Sequence, residues 1–264
     1  MIGMFPTAAR WIERGKGEPV VLLHGLMGEK DHWETPLEAL APLCRALAPE
    51  LPIFDAAQAE PSVEGLAEYV HRFMVALGIK RAVLGGNSLG GHLALELALE
   101  RPERVSGLIL TGSSGLFERG FTRGVPHVPT TEFVRDKMQE IFYDPALVTP
   151  AWVESVRRIL VTRAYALRLL HVARSAKRGN LEERLGAIRV PTLLVWGKDD
   201  RITPVEVAER FRALIPSAEL ITIANCGHAP MLEQPLMFNA IIEDWLIDTR
   251  ARRDRGARPA RAPW

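Results

Sequence analysis

Six short apolar runs, at 20–23, 46–48, 82–84, 108–110, 192–196 and 220–223, alternate almost throughout the chain with stretches of helical periodicity. The helical stretches include 62–77, 89–100, 205–214 and 236–247. A run that is apolar at every position, rather than at every second one, suits a strand covered on both faces. Strands that alternate with helices pair in parallel through right-handed crossovers. The expected fold class is therefore α/β, a mostly parallel sheet flanked by helices.

The alternation breaks once. Between about 115 and 185 no strand pattern appears, and helical spacing dominates, as in Val153, Val156, Leu160 and in Leu167, Leu170. This segment starts after one strand and ends before the next. Insertions at strand C-termini project over the face where open α/β sheets bind ligands. The expected organisation is a core of 1–114 and 187–249, an inserted helical cap or lid over 115–186, and a basic flexible tail at 250–264.

Gly86-Asn87-Ser88-Leu89-Gly90 lies between the strand at 82–84 and the helix at 89–100. A serine on so sharp a strand–turn–helix junction needs neighbours nearly without side chains, which Gly86 and Gly90 supply. The turn lifts the hydroxyl above the sheet edge at a helix N-terminus. Serine is a weak nucleophile without a base. Of the histidines beyond its own helix, His127 and His171 fall in the insertion, whereas His228 follows the last strand in Asn225-Cys226-Gly227-His228-Ala229-Pro230. A base needs a carboxylate to hold its tautomer. Trp196-Gly197-Lys198-Asp199-Asp200-Arg201 offers two after the preceding strand.

The chain resembles the α/β-hydrolases, specifically a serine hydrolase with a helical cap of the esterase or C–C bond hydrolase kind. His24-Gly25, the Ser88 turn, the Asp200 turn and the His228 loop carry the resemblance over about 19–247. It implies Ser88 as nucleophile and His228 as base. The G-x-x-D-x-x-x-P register of Gly197, Asp200 and Pro204 implies Asp200 as the triad acid, leaving Asp199 on the surface. The Leu26 and Leu89 amides are implied as oxyanion hole, with His24 organising the first loop. Many relatives carry D-x-x-G-x-G-x-S after the second strand. Here Glu50-Leu51-Pro52-Ile53-Phe54-Asp55 stands instead, and it reads as structural.

Asn87 and the cap arginines Arg157, Arg158, Arg163 and Arg168 fit C–C hydrolases of aromatic ring-fission products, which use a cap arginine for the substrate carboxylate. Ala229 does not, because those enzymes usually have tryptophan there. Asn87, Met27, Arg163 and Arg168 are the expected substrate contacts. Leu116, Phe117, Phe133, Phe142, Leu160 and Leu167 suit either an apolar acyl pocket or the cap's own core. His92, one turn beyond Ser88, reads as a packed helix-face histidine.

Composition limits the rest. Residues 250–264 hold six arginines and one aspartate in a chain of net charge +1, so the remainder is net negative and gives no sign of a nucleic-acid face. Two cysteines, Cys44 and Cys226, make neither a disulfide framework nor a metal site. No leader and no membrane-length apolar run is visible, and a cytoplasmic location is expected. The expected function is cofactor-independent, metal-free Ser-His-Asp hydrolysis of small, moderately apolar esters. The alternatives are a C–C hydrolase of 2-hydroxy-6-oxo-dienoates and a non-catalytic ligand-binding protein. The expected partner is a small-molecule substrate, without nucleic acid or membrane, and self-association is left open.

Overall fold

The computed structural model describes residues 10–55, 61–117 and 128–256, with side chains as far as 253. Seven strands form one sheet in the order β1-β3-β2-β4-β5-β6-β7. They are β1 (Trp11–Arg14), β2 (Pro19–Leu23), β3 (Arg45–Pro49), β4 (Ala82–Asn87), β5 (Val105–Thr111), β6 (Thr192–Gly197) and β7 (Ala218–Ile223). All neighbours run parallel except β1, which pairs antiparallel with β3 from Trp11↔Pro49 to Arg14↔Ala46. Six strands match the apolar runs. β1 is the addition: Trp-Ile-Glu-Arg at a sheet edge is too exposed and too polar to show as an apolar run.

The continuous apolar strands are explained by two cores, one on each sheet face. Val21, Leu23, Leu84, Leu108, Leu110, Leu194 and Trp196 point to one face. There they meet α2 (Val63–Ala76), α3 (Leu89–Glu100) and α7 (Val205–Leu214). Val20, Leu22, Ile109, Leu193 and Val195 point to the other, against α1 (Glu34–Leu40) and α9 (Pro235–Gly256). Alternate side chains of a strand face opposite sides, so covering both requires apolar residues at every position.

Between β5 and β6 the chain inserts α4 (Thr131–Gln139), α5 (Pro150–Val161) and α6 (Arg163–Arg178). Thr130 and Thr149 cap α4 and α5 by accepting from Phe133 and Trp152 N–H, and Pro150 opens α5 where a missing N–H costs nothing. The insertion is tied down at several points. Leu181 N–H donates to Gly115 O at 2.8 Å, and Val63 N–H donates to Ser175 Oγ at 3.0 Å. A short α8 (Pro230–Glu233) precedes α9.

The C-terminal stretch corrects one expectation. Residues 250–256 are not an unstructured extension, because α9 continues to Gly256. Arg250 donates to Leu43 O at 2.7 Å and pairs with Glu18, as does Arg253, while Arg252 pairs with Glu219. The basic run read as solvated contains the partners of acids on the core. Residues 257–264 lie outside the described part, as does His127.

Candidate active site

Ser88 sits between β4 and α3 with φ 54° and ψ −116°, a backbone region that L-residues avoid and that costs about 1–3 kcal/mol. The surroundings enforce it. A Cβ on Gly86 would stand 2.1 Å from the carbonyl carbon of Gly90, and one on Gly90 would stand 2.0 Å from Leu23 O. Hydrogen bonds from Ser88 N–H to Thr111 O and from Ser114 N–H to Ser88 O, both 3.1 Å, pin the turn to the neighbouring strand. The first N–H groups of α3 have no intrahelical acceptor, and Leu89, its first residue, borders the same cavity as Ser88.

His228 lies in the loop after β7, its side chain buried. Its N–H donates to Ile141 O at 2.8 Å. Its Nδ1 stands 2.9 Å from Asp200 Oδ2 and 3.3 Å from Thr203 Oγ1. The ring rests on Gly112, where a Cβ would come within 2.7 Å of Nδ1. Asp200 is fully engaged: Oδ1 accepts from the Ile202 and Thr203 N–H groups at 2.8 and 2.9 Å, and Oδ2 also accepts from Thr203 Oγ1 at 2.8 Å. Burial works to raise this carboxyl's pKa, but the attraction and hydrogen bond of His228 and the bonds from Thr203 outweigh it and leave it lowered. A buried, ionised Asp200 therefore faces the histidine. Asp199 is exposed.

His24 organises the first loop as expected. It is buried, Leu51 N–H donates to Nε2 at 3.0 Å, and Nδ1 is 2.8 Å from Gly25 O. Burial lowers its pKa to about 4, so the ring is neutral and Nδ1–H donates to Gly25. The segment after β3 supports this loop and the insertion: Glu50 accepts from Lys30 N–H, and Ile53 O accepts from Arg168 Nε at 2.8 Å.

Ser88, His228, Leu26 and Leu89 border one cavity of about 620 Å³. Its wall is largely apolar, with Met27, Leu116, Phe117 and Phe142 as expected, and with Trp152 and Val172 from the insertion. The remaining expected pocket residues pack elsewhere: Phe133 and Leu160 join the second core, and Leu167 is exposed. Of the expected substrate contacts, Met27 and Asn87 border the cavity. Both Nδ2 hydrogens of Asn87 are taken up by Thr111 O at 3.1 Å and His228 O at 2.9 Å, which joins the serine turn to the histidine loop.

Arg163 and Arg168 do not border the cavity, and this corrects their assignment. Arg163 is exposed, Arg168 holds Ile53 O, and Arg157 pairs with Glu154 on its own helix. Helical spacing reveals neither the roll of a helix nor which face its arginines take. Among the described lining residues the lysine or arginine is Lys177, near the end of α6, and His32 adds a ring packed edge-on against Trp152 at 5.4 Å. Sequence reasoning missed Lys177, His32, Trp152 and Thr203. Only Thr203 left a signal, its place between Asp200 and Pro204 in the acid's turn.

An α/β-hydrolase-fold family model matches residues 18–235. The chain is 32% identical over 259 residues to the 2-hydroxy-6-oxo-6-phenylhexa-2,4-dienoate hydrolase of Burkholderia cepacia, covering 89% of this chain and 90% of that one. Among solved structures it is similar to an α/β-hydrolase enzyme from a Moroccan lagoon-sediment metagenome, at 33% identity and TM-score 0.74, covering 91% and 95%. It is also similar to a thermophilic esterase from Thermogutta terrifontis, at 25% identity and TM-score 0.76, covering 91% and 93%.

Proposed function

The chain belongs to the α/β-hydrolase-fold family, and from that premise we propose that it is a serine hydrolase cleaving a carbon–carbon bond beside a ketone in 2-hydroxy-6-oxo-dienoate acids. The observation that carries the serine chemistry is the His228–Asp200 contact of 2.9 Å at the wall of the cavity that Ser88 also borders. Ser88 Oγ attacks the ketone carbon while His228 takes its proton. The oxyanion is received by the backbone amides of Leu26 and Leu89, two residues that border the cavity. Collapse breaks the C–C bond next to the ketone of the 2,6-dioxo tautomer, formed beforehand by moving the 2-hydroxyl proton to C5. The bond's electron pair leaves as a dienolate conjugated with the 2-oxo group, and that fragment takes the proton held by His228. Water, deprotonated by His228, then releases the acyl group from Ser88 as a carboxylic acid.

Two observations favour a carbon leaving group over the ester first expected. One is the Burkholderia cepacia relative, whose name states that substrate class. The other is Lys177, a cation at a largely apolar cavity wall that can meet the substrate carboxylate. Ester cleavage is the second reading. It is supported by the Thermogutta terrifontis structure, by the apolar wall, and by Ala229 after the histidine. The same acyl-enzyme serves it, with an alkoxide leaving instead of carbon.

The deciding experiment compares kcat/KM for 2-hydroxy-6-oxo-6-phenylhexa-2,4-dienoate with a panel of p-nitrophenyl esters. The dienoate is expected to exceed every ester. Lys177→Gln is expected to reduce dienoate turnover about tenfold or more, the scale of a hydrogen bond to a charged group, while short esters stay within a few fold. Esters outpacing the dienoate would transfer the assignment to the second reading. A folded protein in which a fluorophosphonate leaves Ser88 unlabelled would remove both.

A further inference from the structure

The His228 loop is held from behind by a side chain that the triad does not include. Glu233, at the end of α8, is half-buried, and its carboxylate collects N–H groups from both sides of the histidine. Gly227 N–H lies 3.0 and 2.9 Å from Oε1 and Oε2, and Ala229 N–H lies 3.2 Å from Oε1. Oε2 reaches further, accepting from Tyr143 N–H at 2.7 Å. Tyr143 adjoins Ile141 and Phe142, which border the cavity, and Ile141 O accepts the His228 N–H. The contact leaves no slack: a Cβ on Gly227 would stand 2.6 Å from Ile141 O and 2.9 Å from Tyr143 N.

We propose that Glu233 is a positioning residue for the reaction, fixing His228 relative to the cavity wall through the backbone on both sides of it and adding a second negative charge to its surroundings. This rests on the reading of His228 as general base. A carboxylate is acceptor-only, so it alone among side chains of this length satisfies three converging N–H donors. Glutamine would aim an N–H₂ group at one of them. Burial raises the Glu233 pKa, the N–H groups of Gly227, Tyr143 and Ala229 oppose that, and Asp200 adds to the rise.

Among the described residues, the other ionisable groups around His228 and Glu233 include Asp200 and Asp199 after β6, Tyr143 and Asp144 after α4, and the Cys226 thiol, whose pKa burial raises. His32 and Lys177 face the cavity side. With Asp200 intact, removing the Glu233 charge destabilises the imidazolium, so the histidine protonates at lower pH.

The test is Glu233→Gln and Glu233→Asp in the full chain, read by kcat, KM and the acid limb of kcat/KM. In Glu233→Gln, kcat is expected to fall about 10- to 100-fold, the scale of a misplaced catalytic group, with KM within a few fold. The acid limb should move to lower pH by about half a unit to one unit, as a charge removed at several ångströms predicts. Glu233→Asp keeps the charge but is too short to span all three donors. It should lose kcat with the limb unmoved. Wild-type kcat in either variant, or an unmoved limb in Glu233→Gln, overturns the proposal. If Glu233→Gln does not fold, wild-type kcat in Glu233→Asp still overturns it. Undiminished turnover in His228→Ala would instead sink the underlying assignment of the base.

Discussion

At the scale of single residues, strain and hydrogen bonding converge on a few side chains. Ser88→Ala, Asp200→Asn and His228→Ala should each lower kcat by several orders of magnitude. The Ser88→Ala/His228→Ala pair should be scarcely worse than either single change, because triad members act as a unit. Asp199→Asn is the silent control, its side chain being exposed. A His228→Ala variant keeping more than about a tenth of wild-type turnover would point to another base, since general-base catalysis contributes at least ~10²-fold. Thr203→Val tests the support beneath Asp200. It removes a hydroxyl 2.8 Å from Oδ2 at constant shape and keeps the backbone bond to Oδ1. A loss of about 1–3 kcal/mol in urea unfolding is expected, the scale of a hydrogen bond to a buried charge. Unchanged stability would mean that His228 and the Ile202 and Thr203 N–H groups hold the acid without the hydroxyl.

At the scale of elements, two histidines are buried at junctions in neutral form, one between the loops after β2 and β3, the other between α3 and the ends of the insertion. His24 bonds the loop after β2 to Leu51. His92, on α3, is fully buried beside Gly115 and Gly179, which bracket the inserted helices. Burial lowers both from the ordinary 6.5 to about 4. As pH falls, the unfolded chain takes up these protons near 6.5 while the fold resists until about 4. Stability is therefore full above that window and drains within it, by about 2 kcal/mol per histidine between pH 7.5 and 5. His92→Leu should flatten this slope in urea titrations. An unchanged slope would place the acid sensitivity elsewhere. The inserted helices also show where periodicity stops informing. Spacing located the buried stripe of α5 at Val153, Val156 and Leu160, but not that of α6, where Leu169 and Val172 are buried and Leu167 is exposed. It did not show that α5 and α6 turn Trp152, Val172 and Lys177 to the cavity and Arg163 to solvent, because that depends on how helices roll against β-strand ends far away in sequence.

For the whole molecule, α9 closes the layer opposite α2 and α3, and its last turns grip the β2–β3 side of the sheet through Arg250. Arg250→Ala removes the bond to Leu43 O and one pair with Glu18, and should cost about 1 kcal/mol in thermal or urea unfolding without altering kcat, since the site lies at the other end of the strands. A change in kcat would reveal coupling that the contacts do not show. Sequence by itself determined the sheet, because burial on both faces demands continuous apolar strands, and it determined the Ser88 turn, because that backbone tolerates only glycine beside it. It also pointed to His228, after the last strand, and through the family resemblance to Asp200, two side chains that the fold brings within 2.9 Å of each other. Tertiary structure alone decided the rest: the polar edge strand β1, stabilised by pairing rather than by its own hydrophobicity; the helical end of α9, whose arginines needed acids distant in the chain; and the cation at the cavity. These depend on contacts between segments many residues apart, and no local pattern encodes which of several equivalent side chains will meet a partner there.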